Sequence, residues 1–562
     1  MGVPFAFTVS RVARKRKNVN RADRKSPVAR SIPPGTPGAG QSGCQPPERR
    51  LTVFRRPAAC VILETMNRGS GHILSKSTFI RGCQCHKSLW LYKHRYQSRD
   101  RISAEQQAIF DRGSKVGRLA RELFPGGVDA SPPTPFQYDR SVALTAELVR
   151  DRAPVIYEAA FRHAGVLAAM DILVSDGASF RAFEVKSSTS VTDTYLLDAA
   201  LQYFVITGSG LPLSDISIIC INPDYVRSGK LDLFRLFVGK SVRSEVIGLQ
   251  PWVVQKIQEL SRVARAEQMP EVPIGPHCHS PYPCDFLGTC WKEVPEYSVF
   301  DIARLDDAKK FELYRSGIVS IAAVPEGYPL SERQRLQVES ERSGLGAIDG
   351  RAIEEFVRLL HYPLLFLDFE TFQPAVPLYD DSSPYQQIPF QFSLHRRERP
   401  GDEPSHVEFL AEAGPDPRDS FAEAVISAVG DAGSVLVYNQ SFEVGRLSEL
   451  AALFPERAAA IEGVIGRVVD LMAPFQRFDY YLPSMRGSYS IKRVLPALVP
   501  ELSYDSLAIG DGTAAALAFT ELFEERDPER HSEIRRQLLE YCRMDTYAMV
   551  RIFDVLCRVR ES

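Results

Sequence analysis

Two short stretches of this sequence place charged residues two apart at the end of apolar runs. Leu-Leu-Phe-Leu (364–367) runs into Asp368 and Glu370, and Ala-Phe (182–183) runs into Glu184 and Lys186. Residues i and i+2 of a strand point to the same face. Asp368 and Glu370 therefore project together, as do Glu184 and Lys186. Two carboxylates on one face repel unless a cation lies between them. Hard cations such as Mg²⁺ or Mn²⁺ take oxygen ligands of this kind. Further acids could complete such a site: Glu443 follows a second apolar strand, Asp470 ends Val-Val-Asp, and Tyr541 and Asp545 share a helical face at i and i+4. For the Glu184 pair the partner acid is Asp171, one hairpin upstream. A carboxylate pair could hold one Mg²⁺ there while Lys186 stabilises developing charge or positions water.

Cysteine placement suggests a different chemistry. Of 10 cysteines, Cys278, Cys284 and Cys290 recur at intervals of six, and Cys83 and Cys85 lie far upstream. In a reducing compartment this pattern points to metal rather than disulfides. Soft thiolates select zinc or iron-sulfur clusters, and a cluster commonly needs four. One upstream cysteine with the three downstream makes four.

The elements that must position these groups can be read from periodicity. Of 562 residues, 44% are hydrophobic and 25% charged, with a net charge of −2. That is the composition of a soluble globular chain of several domains, and strong non-specific duplex binding does not follow from it. Residues 1–65 are set apart, with 13 Lys or Arg and two acids in the first sixty. They read as a disordered basic extension. A nucleic-acid-binding arm, a targeting peptide, or translation starting near Met66 would each account for them. Residues 66–295 alternate helix and strand: an amphipathic stretch from Ile73 to Tyr96, strands VIYEAAF, VLAAMDILVSD and SFRAFEVKSS with a turn at Asp176-Gly177, the helix YLLDAALQYFVI, and the strand ISIICIN. Residues 296–355 read as a small helical connector. Residues 356–562 form a second α/β unit with strands LLFLDFE and SVLVYNQ and a long C-terminal helix. The expected fold class is α/β in both units. No apolar run reaches membrane-spanning length, and a cytoplasmic location is expected.

In this order the acidic motifs resemble those of DEDD exonucleases with the DnaQ-like, RNase H-like fold. Asp368-Phe-Glu370 matches the first motif. Asn439 with Glu443 stands where the family has Asn and Asp, and Tyr541 with Asp545 matches the third motif. YSIKRVL is similar to the segment before that third motif. The resemblance implies two-metal phosphodiester cleavage, with Asp368, Glu370, Glu443 and Asp545 as ligands, Asp470 in reserve, and Tyr541 orienting water. Asp171 with Glu184-Val-Lys186 resembles the PD-(D/E)XK nuclease core, a restriction-endonuclease-like mixed sheet. Asp198 and Gln202 are similar to the D-x-x-x-Q of RecB-type nucleases, whose following Tyr is Ile206 here. The cysteines look like those of iron-sulfur RecB-type nucleases, which implies a 4Fe-4S cluster on Cys85, Cys278, Cys284 and Cys290, with Cys83 spare. The spacing C-x5-C-x5-C departs from the family's C-x2-C-x5-C and leaves zinc as the alternative. From about residue 70 onward the chain resembles bacterial predicted RecB-family nucleases that carry a C-terminal domain of unknown function.

The expected activity is thus a Mg²⁺- or Mn²⁺-dependent nuclease acting on DNA, single-stranded or end-bound, in repair or defence. A 3′–5′ exoribonuclease and a non-catalytic nucleic-acid-binding subunit are the alternatives. Basic and aromatic clusters at 87–96 and 476–493 could track a phosphate backbone and stack bases. Protein partners have no signature in the sequence.

Overall fold

The computed structural model describes residues 73–134 and 136–561. The basic extension expected at 1–65 lies outside them. Seven strands build the first sheet: β1 (Leu74–Ser75), β2 (Val128–Asp129), β3 (Val155–His163), β4 (Val166–Asp176), β5 (Ser179–Val185), β6 (Leu213–Ile221) and β7 (Phe237–Ser241). They run in the order β2-β3-β4-β5-β6-β7, with β1 added alongside β4. The β4–β5 hairpin closes through Gly177-Ala178 between the paired Asp176 and Ser179, with Gly177 at φ 72°. Glycine enters that region without steric penalty.

Helices cover this sheet. The stretch expected to be amphipathic from Ile73 is two helices, α1 (Lys76–Gln84) and α2 (His86–His94), broken at Cys85. Cys85 is extended (φ −157°, ψ 120°), and its sulfur accepts from the Ser88 amide as the cap of α2. The helix α3 (Ala104–Ala120) follows, and α4 (Asp193–Gly208) makes the crossover from β5 to the parallel β6. On α4, Asp198 and Gln202 are buried among apolar neighbours. Buried polar groups must find partners, and theirs are the charged residues at the end of β5. The helix α5 (Arg243–Arg265) packs against α4.

The connector has its own small core of Val299, Ile302, Leu305, Leu313, Ile321 and Val338. Beside its helices it carries one short strand, β8 (Ala347–Ile348). The second sheet contains β9 (Leu364–Phe372), β10 (Ile388–Arg397), β11 (Ser405–Leu410), β12 (Ser434–Val437) and β13 (Val468–Asp470), in the order β11-β10-β9-β12-β13. β10 is antiparallel to β9 and β11, whereas β12 is parallel to β9 and β13. β14 (Tyr480–Tyr481) returns to pair with β8 and ties the connector to this unit.

Strand parity decides where the second-sheet acids go. Leu365, Leu367 and Phe369 pack with Phe421, Val425 and Leu447 on one side. Leu364 and Phe366 pack with Met549, Ile552 and Phe553 on the other. Asp368 and Glu370 share parity with Leu364 and Phe366. They therefore face the C-terminal helix. The helix α6 (Gln440–Leu453) follows β12, α7 (Gly512–Glu521) approaches β9, and α8 (Pro528–Glu561) crosses β9 and β10.

The β9–β10 connection, residues 373–387, leaves its own sheet and docks on the first. Ala375, Val376 and Tyr385 pack with Ile172, Phe183 and Tyr225. The Asp380 carboxylate accepts from the Gly229 amide at 2.7 Å, and the Tyr385 hydroxyl donates to the Ser187 carbonyl.

Candidate functional sites

The first site lies where β3 and β4 lose their regular pairing. Tyr157 pairs with Ile172 and Ala159 with Met170, and the intervening Glu158 and Asp171 are skipped. Glu158 sits at φ 53°. The register is the same on either side of the gap, so the irregularity is local to Glu158. Asp171 turns towards β5, and its Oδ2 accepts from the Val185 amide at 2.6 Å. Glu184 is only 1% exposed. Its Oε1 accepts from Lys76 Nζ at 2.6 Å and pairs with Lys186 Nζ at 2.9 Å, while Oε2 accepts from the Gln202 amide at 2.6 Å. Lys186 also donates to Asp198 at 2.8 Å. Burial works against the Glu184 charge, but Lys186 and Lys76 hold its carboxyl down at about 2. Burial and the adjacent Glu184 push Asp171 up to about 7.

So Asp171, Glu184, Lys186 and Gln202 gather at the end of β5, and Asp198 joins them through Lys186. Lys76 was not singled out in the sequence. It comes from α1, 108 residues before Glu184. The available signal was a lysine at the first position of a helix, where the backbone dipole disfavours a cation. Two ammonium groups here offset part of the acids' charge.

The second site is different. Oxygens of Asp368, Glu370 and Asp545 lie within 4.8 Å of one another. Asp545 comes from α8, and its Oδ1 accepts from the Tyr504 hydroxyl at 2.6 Å. Burial and then Asp545 raise Asp368 and Glu370 well above the carboxylate range, and burial lifts Asp545 to about 6. The sequence left the fourth ligand open between Glu443 and Asp470. Asn439, at φ 109°, lets the chain turn from β12 into α6. Asn tolerates that left-handed geometry. Glu443 then falls in the first turn of α6, 2% exposed, with Oε2 lacking any hydrogen-bond partner. Its charge acts on both Asp368 and Glu370. Asp470 instead accepts from the backbone amides of Asn439 and Met472, at 3.3 and 2.9 Å. Asp470 braces the turn, whereas Glu443 lies outside the 4.8 Å triad but near enough for its charge to act on Asp368 and Glu370.

Tyr541 lies beside Asp545 with its ring in an apolar cluster. Tyr504 and Lys492 are additions that the sequence did not mark as site residues. The Lys492 ammonium donates to the Gly510 carbonyl at 2.5 Å and stands 5.5 Å from the Tyr541 ring centre. Gly512 opens α7 directly over Glu370, where a β-carbon would come within 3.3 Å of Oε2. Repulsion among buried carboxylates that Lys492 and Tyr504 offset only in part, together with an unpartnered acid oxygen, fits a divalent cation by its donor chemistry.

A third locus joins the two ends of the first unit. Cys85, Cys278, Cys284 and Cys290 line one small cavity with Ser88 and Phe286. Asp285 pairs with both Arg81 and Arg99, and the Gln84 amide donates to the His277 and Tyr282 carbonyls at 2.7 and 2.6 Å. Burial and the neighbouring thiols raise Cys85 and Cys290. Four cysteines line this space and are soft ligands by type, but among the described residues no three of their sulfurs lie within 4.8 Å of one another. Cys83 packs against the core of the first sheet instead.

Of the stretches considered for base stacking, 476–493 places most of its aromatics in a core and 87–96 buries Trp90. Trp90 is buried and donates to the Ala266 carbonyl at 2.8 Å, and Phe478, Tyr480 and Tyr481 are buried in the second unit. Their rings fill apolar space and are unavailable to stack bases, whereas Tyr96 is exposed. Among the described residues, no helix is long and apolar enough to cross a membrane.

Residues 365–490 match a family described as a domain of unknown function, DUF2779. The matched stretch holds Asp368, Glu370 and Glu443 and ends before Asp545. The chain is also similar to the uncharacterized MG366 homolog of Mycoplasma pneumoniae, 26% identical over 235 residues, covering 39% of this chain and 35% of that protein. It is 27% identical over 226 residues to the uncharacterized protein UU173 of Ureaplasma parvum, covering 36% and 32% respectively. The chain thus spans about a third of the length of these curated relatives.

Proposed function

We propose that the chain is a divalent-metal-dependent nuclease whose main hydrolytic centre is Asp368, Glu370, Glu443 and Asp545. The observation that carries this reading is the convergence of three carboxylates, from one strand and one helix, within 4.8 Å. The second sheet, with two antiparallel pairings followed by two parallel ones, supports an RNase H-like reading of that unit. The β3-β4-β5 meander feeding α4 and a parallel β6 supports a restriction-endonuclease-like reading of the first.

The four acids would hold divalent cations, which when bound supply an activated water and Lewis acidity for phosphodiester hydrolysis. The Tyr504 hydroxyl fixes Asp545, and Lys492 brings positive charge beside Glu370. In the first unit, Asp171 and Glu184 would hold a cation and Lys186 would steady developing negative charge. The thiol cavity would hold an iron-sulfur cluster, or zinc, that staples α1 and α2 to the 276–290 loop. DNA, single-stranded or presented as an end, is the proposed substrate.

The test is cleavage of single-stranded, blunt duplex and circular DNA and of RNA, with Mg²⁺ or Mn²⁺, by wild type, Asp368→Ala and Lys186→Ala. Loss of cleavage in Asp368→Ala supports the main centre. Metal-dependent cleavage untouched by either substitution would exclude both centres.

A further inference from the structure

Lys76 is held in place more firmly than a surface lysine needs. The two residues before it form β1, which pairs with Val166 and Leu167 of β4. Ser75 then caps α1 in a reciprocal box with Thr78, and Phe79 is buried within the first core. The first residue of a helix is an adverse place for a cation. A local rule broken on a rigid, well-packed element commonly marks function.

Side-chain exposure around Glu184 is graded. The Glu184 side chain is 1% exposed, that of Lys186 is 17%, and that of Lys76 is 29%. Glu184 forms the floor and already has Lys186 and Gln202 as partners, so a third donor is not needed to satisfy it. Lys186 is further committed to Asp198. Of the two lysines on Glu184, Lys76 has the larger exposed side-chain fraction and lacks the second carboxylate partner that holds Lys186.

We propose that Lys76 is the phosphate-binding cation at the mouth of the first site, presenting its ammonium to the phosphodiester substrate. Glu184 orients it, and the pinned start of α1 sets its distance. The assignment rests on the nuclease reading of the first unit. Lys76 contributes binding, and Lys186 remains the inner cation.

The experiment measures binding of a labelled single-stranded DNA oligonucleotide by fluorescence anisotropy across a salt series. The full chain is used with Asp368→Ala to silence the second centre and without divalent metal, so that no cleavage occurs. Lys76→Met is expected to weaken binding about tenfold and to lower the slope of log affinity against log salt by about 0.7, the loss of one phosphate contact on a single strand. Lys76→Arg should retain most of the affinity and the slope, which a purely structural clasp on Glu184 would not predict. Thermal melting checks that each variant is folded. If wild type binds, Lys186→Met weakens binding and Lys76→Met leaves affinity and slope unchanged, the Lys76 assignment is overturned while the nuclease reading stands. If Lys76→Arg is as impaired as Lys76→Met, the residue is a structural lock and the assignment also falls. If the Asp368→Ala chain binds no oligonucleotide at all, both fall together. Should Lys76→Met not fold, the Lys76→Arg affinity and slope alone decide between the two roles.

Discussion

Replacing Glu443 with Gln should stabilise the metal-free protein at neutral pH and blunt its response to metal. Glu443 is buried, its Oε2 is unpartnered, and burial followed by the Asp470 charge raises its carboxyl from 4.5 to about 8. A folded-state value above the unfolded one gives stability that is fully present below pH 4.5 and is lost as pH rises towards 8. Each pH unit in that window is worth about 1.4 kcal/mol. By pH 7 the metal-free protein should therefore have lost roughly 3 kcal/mol through this one side chain. Gln has the same shape and does not titrate, so Glu443→Gln should recover on the order of 3 kcal/mol at pH 7 and almost nothing at pH 4.5. A divalent cation reverses the balance, because it binds the ionised carboxylate and stabilises the folded chain by mass action. Thermal and urea unfolding of both proteins from pH 4.5 to 8, with and without Mn²⁺, measures all of this. The reasoning is refuted if the variant is no more stable than wild type at pH 7 without metal. It is equally refuted if Mn²⁺ stabilises the two proteins by the same amount.

Three further outcomes are expected. Gly433→Ala should destabilise by about 3 kcal/mol or more in a urea titration, since this residue sits at φ 84° and a β-carbon would lie 1.9 Å from the Pro363 carbonyl oxygen. Cys85→Ser should abolish any visible absorbance or stoichiometric zinc in purified protein, whereas Cys83→Ser should leave either intact; the reverse result would reassign the fourth sulfur. Lys186→Met should cost about 3–5 kcal/mol by chemical denaturation, because Glu184 and Asp198 lose a shared buried partner, and adding Asp198→Asn should recover part of the loss.

Local pattern explains what was legible beforehand. The β4–β5 hairpin, α4 and β9 each carry a clear period or apolar run, and strand parity alone put Asp368 beside Glu370 and Glu184 beside Lys186. Long-range partners were not legible. Lys76 reaches Glu184 across 108 residues and Tyr504 reaches Asp545 across 41; an unfavourable helix-start position hinted at the first, and nothing in the local pattern marked the second. The choice between Glu443 and Asp470 needed backbone geometry, because both are single acids near the ends of short strands. The turn at Asn439 separates them in another way: Asp470 braces its amides, and Glu443 is left buried with an unpartnered oxygen. Aromatic content misled in a different way: Trp90, Tyr480 and Tyr481 sit among basic residues in the chain, but tertiary packing takes their rings inward.

The 373–387 segment changes how truncations of this protein should be read. It leaves β9 two residues after Glu370 and is anchored beside Lys186 through Ser187. A fragment ending near residue 355 would expose the apolar patch around Phe183 and Tyr225 that Ala375, Val376 and Tyr385 cover, and a fragment starting there would carry those three side chains into water. Each half would become sticky for reasons unrelated to catalysis. Inactivity or aggregation of a separated half would therefore report a severed seam between the units, and assigning activity to one or the other requires point substitutions in the intact chain.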